Sequence, residues 1–288
     1  MTSIASRPAT APRPGSQAPA PSGGASALLD GFVVARRNMI KVRRVPELLF
    51  GTLISPIMFI VLFRYVFGGA IGGLPPGVSY AEFLIPGIFV QTVVFGATIT
   101  GSGLAEDMQK GIIDRFRSLP MSRMAVLIGR TTSDLLTNVL VVIIMSVTGL
   151  LVGWRINSSF LEAVAGFALL LLFAYAISWV MALVGLLMRS PEAFQQISFL
   201  VIFPLTFVGN IFVPSDTLPN VVRIVAEWNP VSTLASSARE FFGNTGGLQP
   251  SGSFPVENPV LYTLLWVVIL LAVFVPLSTR QFARTTSR

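Results

Sequence analysis

Six blocks of the chain are apolar over about 20 residues or more, the length that a helix rising about 1.5 Å per residue needs to cross a hydrocarbon core of about 30 Å. They cover residues 48–67, 83–103, 135–154, 163–188, 193–213 and 259–279. The first holds Arg64 near its end, and the other five hold no charged residue, although Arg155 borders the third. Only the short Arg189 to Glu192 break separates the fourth block from the fifth. The pattern predicts an all-α integral membrane protein whose 46–280 domain holds six transmembrane helices.

Three segments outside these blocks keep a helical period. Leu28, Phe32, Ala35, Met39 and Val42 fall on one arc of residues 28–45, with Lys41, Arg37 and Arg44 opposite, which predicts an amphipathic helix at the membrane interface. Its role is either gating or simple juxtamembrane anchoring. In the connection after the second block, Leu104, Met108, Ile112 and Phe116 share one face and Glu106, Lys110, Asp114 and Arg117 the other, up to Pro120. A helix of about four turns is expected there, either a mixed-charge surface for a partner protein or a solvated helix lying on the membrane. The long connection 214–258 predicts two short helices, 219–228 and 231–242, joined at Asn229-Pro230. They would dip into or lie on the outer leaflet, or form a lid over an exit path.

Composition agrees with a membrane chain: of 288 residues 53% are hydrophobic and 11% charged, with a mean hydropathy of +0.75. Residues 1–27, rich in Pro, Ser and Ala and lacking aromatics, predict a disordered tail without the apolar core of a signal peptide. The 20 basic residues divide 16 to 4 between alternate connections, with only Arg64, Arg155, Arg223 and Arg239 on the minor side. By the positive-inside rule both termini, including the 281–288 tail, are expected in the cytoplasm. The net charge of +7 points to anionic lipid rather than nucleic acid.

Several chemistries drop out. With no Cys and no His there are no disulfides, thiolate nucleophiles, Cys/His zinc sites or Ser-His relays. Neither lysine lies in a phosphate-cradling motif, so the chain is expected to bind no ATP in the Walker manner and to be no enzyme itself. Gly101-Ser102-Gly103 lacks any base to activate the hydroxyl, and reads as small-residue packing between helices. No ionisable residue is expected at mid-membrane, which argues against a proton relay. Gln91, Asn138 and Asn210 are the deeper polar residues singled out as candidates along a transport pathway. Arg130 and Asp134, four apart, are expected to pair at the membrane border.

The order of two loop motifs resembles the permease subunits of type-2 ABC exporters, in particular the daunorubicin-resistance permease group. The first is Glu106-Asp107-x-x-Lys110-Gly111-x-x-Asp114-Arg115-x-Arg117-Ser118-Leu119-Pro120-Met121-Ser122-Arg123. The second is Phe212-Val213-Pro214-Ser215-Asp216-x-Leu218-Pro219, followed by Trp228-Asn229-Pro230-Val231. The resemblance implies that residues 104–118 form a coupling helix docking a separate ATP-binding subunit through Glu106, Asp107, Lys110, Gly111, Asp114, Arg115 and Arg117. It implies outward-facing re-entrant helices whose gate comprises Pro214, Trp228, Asn229 and Pro230. The working unit would be two permeases, identical or different, with two ATPases in a bacterial plasma membrane. ATP and Mg would sit on the partner, this chain binding no cofactor. The cargo would be a hydrophobic or amphiphilic compound such as a drug, lipid or polyketide. An ATP-independent facilitator or channel and a membrane scaffold are the alternatives.

Overall fold

A computed structural model describes residues 46–68, 74, 77–111, 123–246 and 252–285. Helix α1, Pro46–Val61, runs into a π-helical turn, Leu62–Phe67. Helices α2 (Tyr80–Gly96) and α3 (Thr98–Gln109) form one rod bent at Ala97. Then follow α4 (Arg123–Leu151), α5 (Phe160–Leu187) and α6 (Pro191–Phe207). The connection between α6 and the last long helix holds a 3₁₀ turn, Ser215–Thr217, with α7 (Asn220–Trp228), α8 (Pro230–Phe241) and α9 (Phe254–Glu257), before α10 (Pro259–Thr285).

Local chemistry sets these boundaries. Ser79 with Glu82, and Ser159 with Glu162, form reciprocal capping boxes that satisfy the first free N–H groups of α2 and α5. Ser190 caps α6 and Asn229 caps α8, each followed by proline at the first helical position, where no N–H is needed. Four helical stretches, Tyr80–Gln109, Leu127–Leu151, Phe160–Leu187 and Pro259–Arg284, are long and apolar enough to cross a membrane. They fall on the second, third, fourth and sixth predicted blocks. The first block contains a shorter apolar helical stretch, Leu53–Phe67, and the fifth corresponds to the 17-residue α6.

Helix α5 lies at the centre, against α3, α4, α8 and α10. Its contact with α3 is made by glycine: a Cβ on Gly185 would collide with the Gly101 backbone oxygen, and one on Gly101 with Phe194 and the Met181 carbonyl. The expectation of small-residue packing at Gly101 to Gly103 is met. At one end Phe89, Trp154 and Phe242 stack edge to face. At the other, Leu104, Leu127, Trp179, Leu186 and Phe282 form a separate buried cluster.

The coupling helix read over 104–118 is not one helix. Leu104 and Met108 continue the inward face of the α2–α3 rod and pack into that second cluster, so their period reports core packing. The rod ends at Lys110, and Gly111 takes a φ of 63°, a left-handed conformation that only glycine adopts without strain. The tail 1–27, the interfacial helix 28–45 and residues 112–122 lie outside the described residues. Helix α10 extends through Thr285, into the 281–288 segment read as tail.

Candidate functional site

At the C-terminal end of α3, Glu106 and Lys110 form an i,i+4 ion pair on the exposed face, and that hydrogen bond holds the Lys110 ammonium above its ordinary pKa. Asp107 turns the other way, to Arg130 of α4, with Arg130 Nη1 at 3.9 Å. Gly111 closes the helix, whereas Asp114, Arg115 and Arg117 lie outside the described residues. The expected Arg130–Asp134 pair is present at 3.7 Å, but Asp134 is only 6% exposed and also accepts a hydrogen bond from Thr100 Oγ1. A buried carboxylate therefore joins the two helices that flank the loop.

The connection between α6 and α10 divides in two. Helix α7 keeps Val221, Val222, Ile224 and Val225 exposed on an amphipathic surface, while Arg223 Nε donates to Glu227 at 2.7 Å and holds that carboxyl below the usual range. Helix α8 instead enters the bundle against α2, α5 and α10, burying Val231, Leu234, Ala235 and Ala238. Asn229 fixes the joint: its Oδ1 accepts from Val231 N at 2.9 Å and its Nδ2 donates to Leu205 O at 2.6 Å. Trp228 is half exposed, stacks edge to face on Tyr262, and accepts the Tyr262 hydroxyl on its carbonyl; Pro214 is buried. At the far end of α8, Asn244 accepts from Trp154 Nε1 at 2.8 Å and donates to Arg155 O, while Asn157 N donates to Phe242 O.

Arg239 was counted among external loop charges, yet it is 5% exposed. Its Nε donates to Phe83 O at 2.8 Å, its Nη2 donates to Asn210 O and Ile211 O at 2.7 and 3.2 Å, and the guanidinium lies 3.7 Å over the Phe83 ring. A fixed five-donor fork suits three carbonyls from two separate elements. The sequence carried a sign of this: Val231, Ala235, Ala238 and Phe242 mark the inner arc of α8, and Arg239 lies beside it.

Between α1, the α2–α3 rod and α6 lies a cavity of about 340 Å³. One wall is a ladder of phenyl rings on α6, with centroids 5.0 Å apart for Phe199–Phe203 and 4.2 Å for Phe203–Phe207, continued by Phe59. The α2–α3 side of the cavity is mixed, with Gln91, Thr92 and Thr98 among Phe95, Gly96 and Ile99. Of the three pathway candidates only Gln91 lines this cavity. Asn138 donates to Asp134 O and packs on Gly96, and Asn210 donates to Ser236 and accepts from Arg239.

This arrangement of helices has relatives. A family model of the ABC-2 type transporter matches residues 31–242. The chain belongs to that family. It is 33% identical over 246 residues to the daunorubicin resistance ABC transporter permease protein DrrB1 of Streptomyces coeruleorubidus, covering 85% of this chain and 83% of that protein. It is 29% identical over 238 residues to the doxorubicin resistance ABC transporter permease protein DrrB of Mycobacterium tuberculosis, covering 79% and 82%. A putative transport permease, ycf38 of Cyanophora paradoxa, is 24% identical over 230 residues, 78% of either chain. The chain is thus a multi-pass membrane permease of ABC-2 type, and membership implies an ATP-binding partner subunit. The match runs from before α1 to the end of α8, so the cavity, the buried α8 and both loop motifs lie within this ABC-2 region.

Proposed function

We propose that this permease exports an aromatic amphiphile from a bacterial cell, driven by a separate ATP-binding subunit that carries the ATP and Mg, while the chain itself catalyses nothing. The cavity carries this reading: a stacked phenyl wall suits a planar apolar body, and Gln91, Thr92 and Thr98 on the α2–α3 side suit polar substituents. Relatives whose names record daunorubicin and doxorubicin resistance support the same cargo class. Six spans, with both termini in the cytoplasm, are the arrangement proposed. Docking of the ATPase is assigned to the loop from Glu106 to Arg117, including Lys110, Gly111, Asp114 and Arg115. Exposed Ile54, Met58 and Tyr65 of the first segment and Phe199, Leu200 and Val201 of α6 flank the cavity and suit a second permease, identical or different. Membrane lipid covers the remaining apolar faces. The external segment is read as an anchored wedge rather than a lid, because Asn229, Arg239 and Asn244 tie α8 at three points along its length.

The test is doxorubicin accumulation in inside-out vesicles carrying this chain with its ATPase. ATP-dependent uptake that Phe203→Ala and Gln91→Ala each lower about fivefold or more is expected, the loss of one stacked or hydrogen-bonded contact. Uptake unaffected by omitting ATP would replace the exporter with a facilitator, and no uptake at all would remove this cargo class.

A further inference from the structure

The two helices that flank the loop after Gly111 are joined by two neighbouring side chains of α4, Arg130 and Asp134. Arg130 extends from α4 across α3, its Nη1 3.9 Å from Asp107, its Nε 3.7 Å from Asp134 and its Nη2 donating to Ile99 O at 3.3 Å. Asp134 in turn accepts from Thr100 Oγ1 on α3, so the carboxylate of one helix and the guanidinium beside it both hold the other helix. The crossing depends on Gly103, since a Cβ there would occupy the space of the guanidinium. The Asp134 side chain is only 8% exposed, so water competes least at that end of the guanidinium. A planar guanidinium can hold two carboxylates and a carbonyl at once, which a point-charge ammonium cannot do with fixed geometry.

We propose that Arg130 is a positioning residue for energy coupling: it clamps the two stems of the cytoplasmic loop so that a displacement delivered at the loop moves the α2–α3 rod and α4 as one body. Without the clamp, each stem yields separately, and motion of the ATPase is absorbed at the loop instead of reaching the cavity, which is walled in part by the same rod. The inference rests on the loop being the docking site, and the two are separable. A chain without cysteine allows spin labels at Gln109→Cys and Ile143→Cys, both exposed positions, one on each stem.

In the assembled complex, electron–electron distance measurements should give one narrow distribution, alike with and without ATP and vanadate. Arg130→Gln should broaden it and lower doxorubicin exported per ATP hydrolysed by about fivefold or more, the smallest common size of an allosteric coupling, with ATPase capture unchanged. Asp107→Asn, which leaves the buried Arg130–Asp134 pair in place, should broaden it in the same direction and covers the case in which Arg130→Gln does not fold. A narrow distribution with an unchanged export ratio in either variant overturns the clamp. The docking reading fails separately: if Asp114→Lys with Arg115→Glu leaves ATPase capture intact, docking lies elsewhere, while the label distances still report whether the stems are clamped.

Discussion

Arg239 shows how a single side chain can decide the placing of an element. Among the described residues no carboxylate lies within ion-pairing distance of it, and its partners are backbone carbonyls of Phe83, Asn210 and Ile211 together with the Phe83 ring. A cation of this kind is costly to bury unless every donor is used, so it is retained where it holds something in place. Here it ties α8 both to the start of α2 and to the chain just beyond α6. Replacing it with Met leaves those carbonyls short of a donor at about 1–3 kcal/mol for each one not rescued by water. Thermal unfolding of Arg239→Met in detergent should therefore show a clearly lowered midpoint. Arg239→Lys, which keeps the charge but not the fork, should fall between it and the parent. Equal midpoints for all three proteins would show that the carbonyls find other donors. Charge counting assigned this arginine to water although it falls in the expected helix 231–242; only the apolar arc of that helix signalled otherwise. Asn138 and Asn210 were read toward a pathway for a similar reason. Polarity at depth marks a residue that needs a partner: the Asn138 amide donates to Asp134 O and the Asn210 amide to Ser236, while Asn210 Oδ1 is buried without a hydrogen-bond partner among the described residues.

At the scale of elements, helices were legible wherever their own period and caps decided them. The α7–α8 pair appears within a residue of its expected limits because Pro219, Asn229-Pro230 and Gly243 punctuate it. The first part of the expected loop helix, 104–109, belongs to the rod instead, because an amphipathic stripe at a helix end looks the same whether the apolar side meets lipid or core. Leu104 and Met108 meet core, supplied by α4, α5 and α10, which are distant in sequence. The joint between α7 and α8 is held by Asn229 more than by Pro230, since the side chain makes both the cap bond and the bond to Leu205 O. Asn229→Ala should then cost about 1–2 kcal/mol, the usual worth of a cap, and Pro230→Ala less, both with normal export per ATP hydrolysed. Unfolding midpoints and doxorubicin export by the reconstituted complex check this. Raised futile hydrolysis in Pro230→Ala would restore the gate made of Pro214, Trp228, Asn229 and Pro230.

For the whole molecule, the contacts at the two ends constrain how the chain threads the membrane. One end collects Leu104, Leu127, Leu186 and Phe282. The other collects the Tyr80 hydroxyl on Phe212 O, Trp154 with Phe242, and Tyr262 with Trp228. The chain leaves the first end after Leu186 and is at the second by Phe212, so α6 covers that depth although its 17 residues span only about 25 Å. Phe63 stacks on Phe212 at 4.5 Å, which brings the C-terminal end of α1 to the second end as well. If only the four long helices crossed, the C-terminus would emerge opposite to the 110–122 loop, yet Phe282 lies with Leu104 and Leu127. The 16 to 4 division of basic residues predicts the sidedness by the positive-inside rule, and it sharpens to 16 to 3 once buried Arg239 is left out of the count. On the cysteine-free background, Ser215→Cys and Ser251→Cys should react with a membrane-impermeant maleimide in intact cells, whereas Ser118→Cys and Ser287→Cys should react only after permeabilisation. Labelling of Ser287→Cys from outside would mean that an odd number of helices cross after the loop's N-terminal stem, and the six-span arrangement would fall with it.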